Sequence, residues 1–261
     1  MALLRLLAFI GLTLPLMPIQ AVAVLVNARL ARRLPLFYHR IACRIIGLEV
    51  VVSGVPQAPA PTLFVGNHVS YLDIPVLASL LESSFVAKAE IAGWPFFGWL
   101  ARLQRSVFIE RRSRHAGRHR DSISARLNEG DNLVLFPEGT SNDGIRVLPF
   151  KSALFSVAEN RVNGQPLTVQ PFSIAYTRLG GLPIDRDWRP LLAWYGDMEL
   201  PGHAWRVLGL GRIRVEVILH PPLTLEALGS RKALADHCQR IVAEGAAAAQ
   251  AGIAPGIGGP A

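Results

Sequence analysis

Eleven residues, Leu63 to Asp73 (LFVGNHVSYLD), constrain this chain more than any other stretch. A short apolar run, Leu63-Phe64-Val65, lies between Pro61 and Gly66 and reads as a buried strand leaving into a turn. The turn carries Asn67 and His68. Asp73 follows five residues after the histidine, ahead of an apolar run of helical character, Ile74 to Leu81. Inside one regular helix, positions i and i+5 lie roughly 140° apart and do not meet. With His68 in the turn and a helix beginning near Ser70, Asp73 falls in the first helical turn and its carboxylate reaches back to the imidazole. A carboxylate on one ring nitrogen fixes the tautomer and leaves the other nitrogen as a general base. Ser70 as N-cap with Asp73 three residues on is also a capping box, and one carboxylate would then serve two partners.

Leu6 to Val26 is mostly apolar and long enough to cross a bilayer, though Pro15, Pro18 and Gln20 interrupt it. Arg5 precedes it as in a signal peptide, but no convincing small-residue cleavage site follows. The expectation is an uncleaved membrane anchor, either a span or a helical hairpin dipping into one leaflet. The basic residues behind it, Arg29, Arg32, Arg33, Arg40 and Arg44, would hold the rest of the chain on the cytoplasmic side. Leu34 to Ile46 mixes aromatic and aliphatic residues with arginines, which suits a helix lying at the membrane interface. The chain has 261 residues, 51% of them hydrophobic, and a net charge of +8. Such a basic, apolar chain suits an anionic membrane surface. It carries no zinc-ligand spacing, helix-turn-helix or RNP pattern, so no nucleic-acid partner and no metal are expected. Cys43 and Cys238 stand far apart and imply no disulfide framework.

Downstream, short apolar runs alternate with helical patterns. Expected strands are 49–53, 62–65, 84–88, 106–109, 132–136, 168–177, 191–195 and 213–219. Expected helices are 71–81, 95–103, 115–128, 151–160, 205–208 and 231–248. This is an α/β pattern with a mixed, largely parallel sheet flanked by helices. The division expected is an anchor and interfacial helix over 1–47, a catalytic domain over 48–248, and a Gly/Pro/Ala-rich disordered tail over 249–261.

Three further blocks follow NHVSYLD: FIER (108–111), FPEGT (136–140) and VQP (169–171). In order and spacing the four resemble the sequence blocks of the glycerolipid acyltransferase family, whose best-known members acylate lysophosphatidate. The resemblance covers about Leu48 to Leu219. Arg105 stands where the second block usually has glycine, and Gln170 separates the usual Val-Pro of the fourth. Both departures, with HRIACRIIGLEV, FGWLARLQRSVFIERR and the AWYGDMEL segment, are similar to the bacterial lyso-ornithine lipid O-acyltransferase branch.

The resemblance implies a membrane-associated O-acyltransferase at the cytoplasmic face of the bacterial inner membrane. It would move an acyl group from acyl-carrier protein or acyl-CoA to the hydroxyl of a lysolipid. The thioester is a co-substrate, and no bound cofactor is implied. His68 is the expected base and Asp73 its orienting partner. Absence of a G-x-S-x-G elbow favours direct transfer over an acyl-enzyme. Arg111 is the expected anion ligand, because guanidinium matches a carboxylate or phosphate bidentately. Glu138, Gly139 and Thr140 resemble the block that holds the acceptor's polar head, with Asn67 positioning the turn and Lys88 placed to meet an anion after its strand. The ornithine amine would want an acidic partner, Glu138 or Asp197. Trp94, Phe96, Phe97 and Trp99 are core, acyl-chain wall or membrane contact. His203 and His220, without companions at ligand spacing, read as structural.

Overall fold

The computed structural model describes residues 1–26, 28–110 and 116–253. The chain opens with two helices, α1 (Ala2–Val26) and α2 (Ala28–Ile46). They pack antiparallel: Thr13 meets Tyr38 and Gln20 meets Ala31. Pro15 and Pro18 do not break α1; the hairpin is formed by α1 and α2 together. Then follow β1 (Leu48–Gly54), β2 (Thr62–Gly66), α3 (Asp73–Leu80), β3 (Ser83–Lys88), α4 (Phe97–Leu103) and β4 (Val107–Ile109). The second half holds α5 (Ala116–Asn128), β5 (Asn132–Leu135), the small pair β6 (Arg161–Val162) and β7 (Gln165–Pro166), β8 (Thr168–Leu179), β9 (Leu182–Pro183), α6 (Leu200–Gly209), β10 (Ile213–Leu219), α7 (Leu225–Leu228) and α8 (Arg231–Gln250).

Among the described residues the main sheet runs β1-β10-β8-β2-β5-β3-β4, with β9 beside β8. Only β10–β8 and β8–β9 are antiparallel. The mixed, largely parallel sheet read from the sequence is therefore present. β2 is buried at every position: Phe64 joins a core with α2, α3 and α6, while Leu63 and Val65 join one with α5 and α8. A strand covered on both faces reads as a continuous apolar run rather than an alternating one.

Three expectations need correction. Residues 191–195 form no strand: a 3-10 turn, Arg189–Leu191, leads into a loop that buries Leu192 and Ala193. These apolar residues fill the core below α3 without joining a ladder. Residues 151–160 make a 3-10 helix, Ser152–Glu159, not an α-helix. The C-terminal helix runs through Gln250, two residues into the expected tail, and residues 254–261 lie outside the described part.

Arg105 and Gln170 both prove to be structural devices. Arg105 has φ 60°, the left-handed region where glycine costs nothing and other residues are strained. Its guanidinium forks onto Asp131, at 3.2 and 2.9 Å, beside Arg126 and Arg32 on the same buried carboxylate. The ion pair offsets the strain and ties the turn before β4 to the start of β5, while Arg32 ties α2 to the same point. Gln170, fully buried, accepts from Ala58 N–H and donates to the carbonyls of Pro56 and His220. It closes the loop ahead of β2 against the end of β10. Arg105→Ala keeps the strained backbone and loses the pair, so it should destabilise by about 2 kcal/mol, whereas Arg105→Gly should cost about 1 kcal/mol less. Unfolding midpoints in detergent test this reversal of the usual Ala-over-Gly order.

Candidate functional site

β2, β5, β3 and β4 run parallel side by side, so their carboxyl ends share one edge. That edge is where open α/β sheets collect ligands. His68 follows β2 and Glu138 follows its neighbour β5; Lys88 ends β3, half-buried. Arg111, beyond β4, lies outside the described residues.

His68 Nδ1 lies 2.7 Å from Asp73 Oδ2. The same oxygen accepts from the N–H groups of Val69, at 2.7 Å, and Ser70, at 3.0 Å. Asp73 is the first residue of α3 and fully buried. Since a carboxylate only accepts, Nδ1 carries the proton and Nε2 is the bare nitrogen. Orientation of the imidazole and bracing of the turn thus meet in one carboxylate. The capping half involving Ser70 is corrected: α3 begins at Asp73, and the buried Ser70 hydroxyl finds no partner.

Long-range contacts complete the site. Tyr176 on β8 donates its hydroxyl to Asp73 Oδ1 at 2.7 Å. The His68 ring stacks on Phe136, with centroids 4.1 Å apart. Asn67 exchanges two hydrogen bonds with the backbone of Ile174, both 2.9 Å, as an extra rung that fixes the turn onto β8. Trp194 N–H donates to Val69 O, which brings the loop carrying the exposed Asp197 against the turn.

Glu138 is placed differently from a headgroup ligand. It is 2% exposed, and its oxygens accept from His68 N–H, Asn142 Nδ2 and Leu148 N–H. Its carboxylate braces the backbone of His68 instead of facing an incoming amine. Gly139 has φ 74°, and a Cβ there would lie 2.7 Å from Lys151 Nζ, so a side chain would displace that ammonium. Thr140 is exposed at the tip of the turn.

The site opens on a cavity of ≈ 390 Å³, almost wholly apolar, walled by α1, α2, α3, β3, α4 and α6. His68 and Tyr71 line it, as do Trp94, Phe97 and Trp194. Of the expected aromatic cluster, Trp94 and Phe97 are cavity wall while Trp99 is 65% exposed. His203 bonds Tyr71 and Leu191 O, and His220 bonds Ser173, so both are engaged in packing away from His68. Tyr176 and Lys151 had no local signal in the sequence, whereas Phe136 opens FPEGT and Trp194 lies within AWYGDMEL.

A histidine oriented by a buried carboxylate at a sheet edge, beside an apolar cavity, matches the family comparison. The acyltransferase family model fits residues 49–187, and the chain belongs to that family; it is an acyltransferase. Within it, the lyso-ornithine lipid O-acyltransferase of Brucella abortus is 44% identical over 232 residues, 87% of either chain. The lyso-ornithine lipid O-acyltransferase of Rhizobium meliloti is 41% identical over 224 residues, 84% of this chain and 77% of its own. The fold is shared with the 1-acyl-sn-glycerophosphate acyltransferase of Thermotoga maritima, at a TM-score of 0.65 and 21% identity, covering 95% of this chain and 96% of that one. These lipid-acylating relatives and α1, which is long and apolar enough to cross a bilayer, mark a membrane-associated protein.

Burial raises the Glu138 carboxyl to about 7, against the N–H donors that favour its ionised form. A carboxyl raised in the folded state stabilises fully below its unfolded value near 4.5 and loses that contribution as pH rises through about 7. The stability difference between wild type and Glu138→Gln should therefore shift in favour of wild type as pH falls from 8 to 5. Thermal unfolding of both proteins across that range measures it.

Proposed function

We propose that this acyltransferase acylates lyso-ornithine lipid, giving ornithine lipid, with acyl-carrier protein or coenzyme A as the thioester carrier. The observation that carries the reaction is the His68–Asp73 pair at the mouth of an apolar cavity. The acceptor follows from the relatives named above, which are alike over more than four fifths of the chain.

His68 Nε2 takes the proton of the acceptor hydroxyl as its oxygen attacks the thioester carbonyl. The tetrahedral intermediate then collapses, breaking the C–S bond, and Nε2–H returns the proton to the departing thiolate. Asp73 holds the tautomer and stabilises the imidazolium between these steps. The thioester is already activated, so no covalent intermediate on the protein is required. Arg111 is assigned to the ornithine carboxylate, a bidentate match. Asp197, exposed on the loop that Trp194 docks to the catalytic turn, is assigned to the ornithine amine. Glu138 and Asn67 hold the turn; Gly139, Thr140 and Lys88 border the same edge.

His68→Ala should abolish transfer with the fold intact. Tyr176→Phe removes the hydroxyl donated to Asp73 Oδ1 and loosens the carboxylate that orients His68. It should lower kcat about tenfold with KM little changed. A structural role alone would lower the amount of folded enzyme and leave kcat per folded molecule in place. For the acceptor, the purified enzyme is offered lyso-ornithine lipid and lysophosphatidate with the same acyl-carrier thioester. Acylation of lysophosphatidate without ornithine lipid formation would overturn the acceptor and leave the mechanism standing.

We assign the protein to the cytoplasmic side of the inner membrane with α1 lying in one leaflet. Arg5 donates to the carbonyls of Leu208 and Leu210 at the end of α6, while Gln20 donates to Leu103 O at the end of α4. These residues are about 22 Å apart along the helix. A bilayer-spanning α1 would draw α4 and α6 into hydrocarbon with it, where irregular backbone has no partners. The outer face of α1 exposes Leu3, Leu4, Leu7, Leu14, Val22 and Leu25, and Trp99 and Trp205 stand exposed on α4 and α6, which α1 packs against besides α2. Ala2→Cys should resist an impermeant thiol reagent added outside spheroplasts, and high salt should not release the protein. Labelling from outside would indicate a span.

A further inference from the structure

The cavity beside His68 is not uniformly apolar. Two side chains on the helical hairpin, Gln20 of α1 and His39 of α2, line it and converge on the end of α4. Gln20 is 6% exposed. Its amide nitrogen donates to the carbonyls of Ala31 and Leu103, both at 2.9 Å, which fixes the orientation of the group. Its oxygen is left buried without a partner. His39 Nε2 lies 3.1 Å from Gln104 Oε1, while Gln104 Nε2 donates to Ser83 O. Gln104 therefore presents an acceptor to His39, and His39 Nε2 must carry the proton. Nδ1 is then a bare acceptor, also buried and without a partner. Burial lowers this imidazole to about 4, which keeps it neutral at working pH.

Two orphaned acceptors on side chains that line one apolar cavity are costly, and apolar residues of similar size would avoid that cost. Both lack the same thing, a hydrogen-bond donor. An unsubstituted hydrocarbon chain offers none. An O–H group on the chain supplies one, and its own oxygen needs only weak satisfaction in return.

Resting on the acyltransferase reading, we propose that Gln20 and His39 form a polar subsite in the chain-binding cavity that accepts a hydroxyl borne along the aliphatic chain of a substrate. The enzyme would then take hydroxylated acyl chains in preference to their unsubstituted counterparts. The subsite acts through specificity and takes no part in the proton transfers at His68.

The test uses the full-length protein in detergent and acyl-carrier thioesters of one chain length, unsubstituted or hydroxylated at successive positions. The readout is the ratio of kcat/KM for hydroxylated over unsubstituted thioester, so any general loss in a variant cancels. Wild type should favour the hydroxyl at one or two adjacent positions by about tenfold, the scale of one hydrogen bond to an otherwise unsatisfied partner. A hydroxyl donates to one acceptor at a time, so the Gln20→Met/His39→Phe pair should bring that ratio to one or below, and the single variant that removes the acceptor in use should do so alone. Wild type showing no preference at any position, or both variants keeping the wild-type ratio, would overturn the subsite and leave ordered water as the partner of these groups. The ratio can be taken with either lyso-ornithine lipid or lysophosphatidate as acceptor, so a wrong acceptor does not disturb it. Should neither acceptor turn over, the proposed acceptors fail, and displacement of a fluorescent fatty acid by hydroxylated against plain fatty acids decides the subsite separately.

Discussion

One buried carboxylate organises the working end of this fold. Asp73 collects four donors: the His68 ring, the Val69 and Ser70 amides, and the Tyr176 hydroxyl. A burial of this depth is tolerable for a charge only when its lone pairs are filled by well-placed donors. The same bonds set the turn between β2 and α3, start the helix and choose the histidine tautomer. Charge, turn and imidazole are therefore a single unit, and each is rigid because the other two are.

How much of this was legible follows from sequence distance. The His68–Asp73 contact spans five residues, within reach of a strand–turn–helix argument. Tyr176 is 103 residues from Asp73 and lies within an apolar strand, where a tyrosine looks like ordinary core. The parallel edge was inferable because His68, Glu138 and the residues after β4 each follow an apolar run. The charge of Glu138 suggests a ligand, yet the amides and Asn142 around it absorb both oxygens. The run LLAWY reads as a strand because it is short and apolar. β8 and β10 are already paired on both sides, so the run was left to pack as a loop.

Arg105 and Gln170 show why a departure from a family pattern need not signal lost function. The backbone at Arg105 still takes the left-handed conformation that suits glycine, and a three-arginine cluster on Asp131 now holds it. Gln170 satisfies three backbone groups that an apolar side chain there would leave unpaired. Neither residue touches His68. Both set how the anchor hairpin and the loop ahead of β2 sit on the sheet, and so bear on the cavity indirectly.

Helix α1 is at once the wall of the cavity and the surface proposed to lie in lipid. On that proposed placement, with one element in both roles, a chain would pass from the leaflet to His68 without entering water. The enzyme would then respond to the mole fraction of its lipid substrate in the membrane rather than to any bulk concentration. Diluting the bilayer with inert phospholipid would slow it at constant total substrate, and shearing away α1 would remove the cavity wall along with the anchor.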